Sequence, residues 1–462
     1  MYNIPIKEIA QALSVPYKGN EHIVAKRVVF DSRQVQPGDL FVAIRGNKVD
    51  GHTYIARAIE AGAVAVAVDE MHAKEDYGVG SLTVDDGISF IQKLSVWMRH
   101  QFRGPVIAIT GSQGKTSTKD LLAQVCRQNH VVVVTEENQN NELGMPLTIT
   151  RLTEETEILI VEMGMTGFGE IDFLCQLAAP THAIITGIGT VHAEYLGSQE
   201  GIARAKTELL KYLPNNGAVA LRYKDKGLLL PYLEECKSQI FWCDRDGDQG
   251  DFCAKDAILG RENSRFLCEA ADEKIEVSLP FAGSHYIDNA LLVIAVALAI
   301  GIAKEDIQIG LANAVSLSSN RMEMHELSGG RLLINDCYNA NPDSMIATLD
   351  VLAGYKPRAT IACLGNMYEL GDYEKSGHES VGSHLAKLGI DYLICLGNKA
   401  EYIGNRAIQE GMDREKVYYV DSTKQAAYVL SEYMPENGVV LVKGSNSMNM
   451  AEVLKNLKPL LS

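Results

Sequence analysis

The chain has 462 residues, 46% of them hydrophobic, and a formal net charge of −16. That length exceeds one ordinary core and predicts about two to four domains. The acidic balance argues against nucleic acid as a partner, and the lack of a run of about 18 uncharged apolar residues argues against membrane insertion. Nine cysteines, scattered and without a C-x-x-C pair, argue against a disulfide framework or a zinc site. With no apolar signal-peptide core at the start, they lead us to expect a cytoplasmic protein.

In chain order, residues 1–98 read as a small α/β domain. Short strands are predicted over 28–33, 36–43 and 63–68, with a helix over 52–61. A second region, 99–315, alternates apolar strands with helices. Its strands are predicted at 106–110, 130–135, 158–163, 182–187 and 218–221. Such a pattern indicates a doubly wound, mainly parallel sheet buried on both faces. The stretch 240–280 reads as antiparallel strands, and 285–300 as an apolar helix. The third region, 316–462, repeats the alternation, with strands at 331–335, 360–364, 392–396 and 439–442. It reads as a Rossmann-like α/β domain without a second phosphate loop. The fold class expected is therefore α/β, in three domains.

The segment Thr110-Gly111-Ser112-Gln113-Gly114-Lys115-Thr116-Ser117 carries the most chemistry. An apolar strand runs into a glycine turn, and a Lys-Thr pair opens a helix. Glycines let backbone N–H groups crowd round a phosphate, and the helix N-terminus adds a positive dipole end. Lys115 would reach the outer phosphates, and the Thr116 hydroxyl would hold Mg²⁺. Position 109 is Ile where the usual pattern has its first glycine, so only Gly111 and Gly114 frame this loop. The chain is expected to bind a nucleoside triphosphate.

Three further residues stand out. On a helix predicted over 200–213, Lys206 falls in the middle of the stripe formed by Ile202, Leu209 and Leu213. Two readings are open. The lysine snorkels to the edge of the stripe, or it is buried, loses its proton and becomes an amine able to take up CO₂ as a carbamate. Glu162 ends an apolar strand, and His192 follows the next one. Carboxyl ends of parallel strands are where open α/β sheets bind ligands, and this pair could hold Mg²⁺ there. A solvated strand cap and a structural histidine are the alternatives.

Taken together, these residues resemble the Mur ligases over essentially the whole chain. The short phosphate loop is similar to theirs. So are Asn138-Gln-Asn-Asn-Glu-Leu-Gly-Met-Pro146, Gly283-Ser-His285 with Asn289, and the Asp motif in Asn335-Asp-Cys-Tyr-Asn-Ala-Asn-Pro342. Asp31-Ser32-Arg33 and Gly46-Asn-Lys-Val-Asp-Gly-His52 look like the family's UDP-sugar domain. Leu364-Gly-Asn-Met-Tyr-Glu-Leu-Gly371 and Val442-Lys-Gly-Ser445 point to the member acting on a UDP-N-acetylmuramoyl tripeptide and D-alanyl-D-alanine.

The resemblance implies that ATP phosphorylates the tripeptide carboxylate and that the amine attacks the acyl phosphate. It implies that residues 110–117 hold ATP, with Thr116 and Glu162 on one Mg²⁺. It implies that His192 and a carbamoylated Lys206 serve a second Mg²⁺. Asn289 would contact adenine, while Arg321 and Asp336 would reach the nucleotide from the C-terminal domain. Asp31, Ser32, Arg33, Asn140, Asn141, Tyr338 and Asn339 would bind substrate. A monomer whose domains close over ATP is expected. The nearer alternatives are another ligase of this family or a folylpolyglutamate synthase; the N-terminal sugar domain and the Tyr-Asn-Ala-Asn-Pro run argue against both. An ATP-driven switch would need neither Lys206 on an apolar face nor the Asp336 motif.

Overall fold

A computed structural model describes every residue except Asp272, Ser318 and Ser462. Three sheets succeed one another along the chain. The first has five strands, in the order Tyr17–Lys18, Gly80–Thr83, Ala65–Val68, Leu40–Val42, Val28–Val29. Only its Tyr17–Lys18 edge is antiparallel. The strand predicted over 28–33 stops at Val29. Asp31 turns the chain there, its Oδ1 accepting from the Arg33 N–H at 3.0 Å, which ends the ladder.

The helix Gly87–Gln101 joins this sheet to the next. Asp86 caps it by accepting from the Ser89 N–H, and Phe90, Ile91, Leu94 and Met98 form its buried face. Those side chains share one apolar core with Leu40 and Leu82 of the first sheet and Val106 and Leu159 of the second. Each such burial contributes roughly 1.5–3 kcal/mol, so the two sheets are held as one body by this face.

The central sheet has nine strands. Val106–Thr110 lies between Ile158–Glu162 and His182–Ile185, parallel to both. The chain leaves Val106–Thr110 towards one edge, returns, and crosses to the other side. That makes a switch point at the carboxyl end of Val106–Thr110, the place where such sheets bind ligands. Part of the 240–280 reading needs correction. Gln239–Asp244 extends the parallel ladder beside Ala218–Arg222, and only Phe252–Leu259, Ser264–Ala270 and Glu273–Leu279 pair antiparallel to one another. The helix predicted over 200–213 is α-helical for Gln199–Thr207 and tightens to a 3₁₀ turn over Glu208–Tyr212. Thr207 marks the change, its hydroxyl donating back to the carbonyls of Ala203 and Arg204.

The third sheet runs Glu323–Leu327, Arg331–Asn335, Val439–Lys443, Thr360–Gly365, Tyr392–Leu396, Val417–Val420. It is parallel except at its first edge. That edge strand reads Glu-Met-His-Glu-Leu and is only half-buried, so its pattern carries no apolar run to predict it from. Among the described residues no helix is long and apolar enough to cross a membrane, and all nine cysteines are free thiols.

Candidate active site

A cleft of about 1070 Å³ opens between the carboxyl edge of the central sheet and the C-terminal sheet. It has room for a nucleotide and a second substrate. Its floor is the phosphate loop. Gly114 caps the helix Lys115–Cys126 at φ +75°, and Gly111 stands at φ +149°. A Cβ on Gly111 would lie 2.0 Å from Thr186 Oγ1, so glycine is required for the loop to press against the neighbouring strand end. Thr186 donates its hydroxyl to the Gln113 carbonyl, and Thr110 donates to the Met163 carbonyl at 3.0 Å. These bonds fix the loop from below.

Lys115 Nζ donates to the Gly111 carbonyl at 2.8 Å, folding back over the loop. Burial lowers its pKa, Glu162 opposes that shift, and Arg321 adds to it. Glu162 ends its strand 2% exposed. Its Oε1 accepts from Asn140 Nδ2 at 2.9 Å, while Oε2 has no hydrogen-bond partner among the described residues. A buried carboxylate oxygen left bare is costly unless a cation or donor meets it. His192 follows the strand His182–Ile185 in a left-handed conformation, φ +68°, and lines the cleft.

Lys206 is 1% exposed and makes no hydrogen bond or ion pair among the described residues. Burial drives its pKa well down, and the like charge of Lys115 drives it further. Snorkelling is therefore excluded, and both burial and the neighbouring charge favour the neutral amine over the ammonium. It is not among the side chains that line the cleft.

The opposite wall belongs to the C-terminal sheet. Asp336 follows Arg331–Asn335, and Lys443 ends the adjacent strand; Lys443 Nζ lies 2.5 Å from Asp336 Oδ2 and donates to the Asn339 carbonyl at 3.0 Å. Arg321 crosses between the walls. Its NH2 donates to Thr116 Oγ1 at 2.9 Å, and its guanidinium sits 3.9 Å from the Tyr338 ring centroid. A planar cation stacked on an aromatic face is held in place yet keeps its donors for an anion.

This layout agrees with three family models that match the chain in order. They are the Mur ligase family catalytic domain over residues 25–94, the Mur ligase middle domain over 109–297, and the Mur ligase glutamate ligase domain over 320–446. The UDP-N-acetylmuramoyl-tripeptide–D-alanyl-D-alanine ligase of Bacillus subtilis (strain 168) is 32% identical over 440 residues, 95% of this chain and 94% of that one. The chain belongs to the Mur ligase family. The ligase of the same name from Escherichia coli (strain K12) is 31% identical, with 99% of each chain covered. A crystal structure of MurF from Acinetobacter baumannii superposes with a TM-score of 0.85 at 29% identity, covering 99% of each chain. MurF ligase from Thermotoga maritima in complex with ADP gives 0.80 at 27%, covering 95% of this chain and 98% of that one.

In this Mur ligase the predicted residues divide into groups. Ser112 to Ser117, Glu162, His192, Asn289, Arg321 and Asp336 meet in the cleft, as do Asn140, Asn141, Tyr338 and Asn339. Two of them do local work there. Asn140 holds Glu162, and Asn141 Oδ1 accepts from the N–H groups of Leu143 and Gly144. Asn289 lies against the phosphate loop, its Oδ1 2.9 Å from where a Cβ on Gly114 would be. Asp31, Ser32 and Arg33 lie in the turn after Val28–Val29 of the N-terminal domain and do not line the cleft; Arg33 there forms a two-pronged ion pair with Asp31.

The sequence reading missed Arg222, Asp288 and Lys443. Arg222 ends a parallel strand just as Glu162 does, and that rule could have found it. Its NH2 and Arg245 NH1 both reach Asp288 Oδ2, at 3.2 and 2.9 Å. Burial nevertheless raises the Asp288 pKa against both arginines. His285 beside it is pushed down to about 4 by burial and stays neutral at physiological pH.

Proposed function

We propose that the chain joins the terminal carboxylate of a UDP-N-acetylmuramoyl tripeptide to the amino group of D-alanyl-D-alanine, converting ATP to ADP and phosphate. One observation carries the reading: the phosphate loop of one α/β sheet faces Arg321, Asp336 and Lys443 of another, with Arg321 bonded to Thr116 across the cleft. The printed names of the curated relatives support the choice of substrates, and the ADP complex of the Thermotoga maritima ligase supports ATP. We assign 1–98 to the UDP-sugar, 99–315 to ATP and 316–462 to the closing domain of a cytoplasmic monomer.

A carboxylate is a poor acyl donor. Transfer of the γ-phosphoryl group makes an acyl phosphate; the amine adds to its carbonyl, and the tetrahedral adduct expels phosphate as the amide forms. Such a transfer needs alignment and charge neutralisation more than covalent help. Lys115 and the loop N–H groups would hold the β- and γ-phosphates. Arg321 would turn from Thr116 to the stronger phosphate acceptors. Asn289 would brace the loop at Gly114, nearer the phosphates than the adenine contact expected from its motif. Asp31, Ser32 and Arg33 would hold the UDP-sugar, with Asn140, Asn141, Tyr338 and Asn339 near the peptide.

The donor set fits Mg²⁺. Thr116 and Glu162, whose Oε2 is bare, would hold a first ion and His192 a second, which Lys206, itself outside the cleft lining, would reach only as the longer carbamate. Mg²⁺ bound there would neutralise phosphate charge. A neutral, uncompensated Lys206 amine is the species that adds to CO₂, losing one proton as the carbamate forms. Docking of the C-terminal domain would exclude water from the acyl phosphate.

The test is phosphate release from ATP with UDP-muramoyl tripeptide, with and without D-alanyl-D-alanine, and the product weighed by mass spectrometry. Release that needs both, with the pentapeptide formed, is expected. Release indifferent to both would overturn the reading.

A further inference from the structure

The segment 366–371 belongs to a motif that the mechanism above leaves unused. It carries Glu369 from the C-terminal domain onto His192 of the central domain. Glu369 Oε2 lies 2.8 Å from His192 Nδ1. That approach is close but not aligned as a hydrogen bond: Nδ1 is buried without a hydrogen-bond partner among the described residues, Nε2 makes no hydrogen bond among them either, and the ring lines the cleft.

Both residues stand in the left-handed region, His192 at φ +68° and Glu369 at φ +63°. Non-glycine residues seldom adopt it, and such positions gather at functional sites. Two facing positions in different domains share the same uncommon backbone.

The arm that presents Glu369 is fixed at its base. Asn366 Oδ1 accepts from the N–H groups of Lys399 and Ala400, at 3.0 and 2.9 Å. The Met367 N–H donates to His378 Nε2, and the Tyr368 N–H to Ser445 Oγ, each at 3.0 Å. Met367 and Leu370 are buried in the C-terminal core. Its tip is fitted to the other domain. A Cβ on Gly371 would lie 2.8 Å from Glu194 Cα, in the short helix that His192 caps. Tyr373 packs against the cores of both domains.

We infer that Glu369 is a positioning residue that sets His192 across the domain boundary, its carboxylate facing Nδ1 so that Nε2 is the nitrogen presented to the cleft. A carboxylate behind an imidazole fixes the tautomer and ring orientation of a ligating histidine. Here that carboxylate arrives from a second domain. The histidine is therefore set for ligation only while the C-terminal domain is docked. Docking and assembly of the metal shell become one event. The idea rests on the ligase reading for the role of His192, and its test separates the two.

The experiment compares the full-length wild-type chain with Glu369→Ala, Glu369→Gln and Gly371→Ala. Mn²⁺ binding is measured in the presence of ADP, by electron paramagnetic resonance, alongside kcat and the KM for each substrate. Glu369→Ala is expected to weaken Mn²⁺ binding and lower kcat, each by about 10- to 100-fold, with the KM for the tripeptide unchanged. Glu369→Gln, which keeps an acceptor, should recover part of both. Gly371→Ala keeps the carboxylate but pushes the arm off Glu194, and should reproduce the loss. Mn²⁺ affinity within twofold of wild type in Glu369→Ala overturns the inference, whether or not turnover falls. Failure of the ligase reading would show separately, as wild-type phosphate release indifferent to both substrates.

Discussion

Two clusters in this molecule use the same residue types and do different things. In the N-terminal domain the rings of His52 and His72 stack at 4.1 Å. His52 Nδ1 lies 2.7 Å from Asp50 Oδ1, and His72 Nδ1 lies 2.7 Å from Asp69 Oδ1. The Asp69 N–H donates to His52 Nε2, while Arg45 reaches the second oxygens of Asp50 and Asp69. Both imidazoles, both carboxylates and the guanidinium are engaged. In the cleft, Glu162 Oε2, Ser112 Oγ, Gln113 Oε1, His192 Nδ1, His285 Nδ1 and Arg321 Nε are buried without a hydrogen-bond partner among the described residues. Each such atom costs roughly 1–3 kcal/mol. Residue type therefore does not mark a site here. Unmet hydrogen-bonding capacity, gathered at the carboxyl ends of parallel strands, does.

The comparison breaks first at Lys206. If its buried amine is the carbamate, Lys206→Ala loses turnover by about a hundredfold or more. Bicarbonate cannot restore it, because the amine is gone. A small carboxylic acid filling the space should restore part. A rate close to wild type for Lys206→Ala in the phosphate-release assay would sink the carbamate.

Glu162→Gln is next. Asn140 keeps a partner in the amide oxygen, so the fold should hold and the melting temperature should stay or rise as a bare buried charge is removed. Turnover should fall by about a hundredfold if that oxygen faces a cation. A variant as active as wild type would place the cation elsewhere.

Arg321→Ala removes the bond to Thr116 and the stack on Tyr338. Its effect should be mainly on nucleotide affinity, about tenfold in the KM for ATP, or 1.4 kcal/mol. A change in the tripeptide KM alone would assign Arg321 to the other substrate.

Much of this was legible in the sequence, for physical reasons. The phosphate loop could be read because glycine positions and an apolar strand leave little conformational choice. Lys206 could be noticed because it interrupts an apolar stripe, but spacing could not tell a snorkelling lysine from a sealed one. That depends on what packs over the helix. Glu162 and His192 could be suspected from strand ends, yet the cleft they share with Arg321 is closed by the Arg321–Thr116 bond, a separation periodicity does not encode. The edge strand Glu323–Leu327 was hidden by its polar, half-buried composition. The end of the strand at Val29 turned on one side chain, Asp31, capturing a backbone N–H.

The smallest expected effect lies in the saturated cluster. His52→Ala removes an acceptor from the Asp69 N–H and the ring partner of His72, and should cost about 1–3 kcal/mol of stability. Because Asp31, Ser32 and Arg33 are not bonded to this ring, kcat should be unchanged. The pH dependence identifies the cause. The His52 ring and backbone beside Asp50 hold its carboxyl down at about 2, against an ordinary 3.8. A carboxylate depressed in the fold contributes stability that is full above 3.8 and fades as pH falls from there towards 2. The wild-type melting temperature should therefore fall across that window, while His52→Ala, with Asp50 titrating nearer its ordinary value, should show a weaker dependence there. Two parallel melting curves from pH 7 to 2 would mean that the cluster is held by ring packing and not by the Asp50 carboxylate.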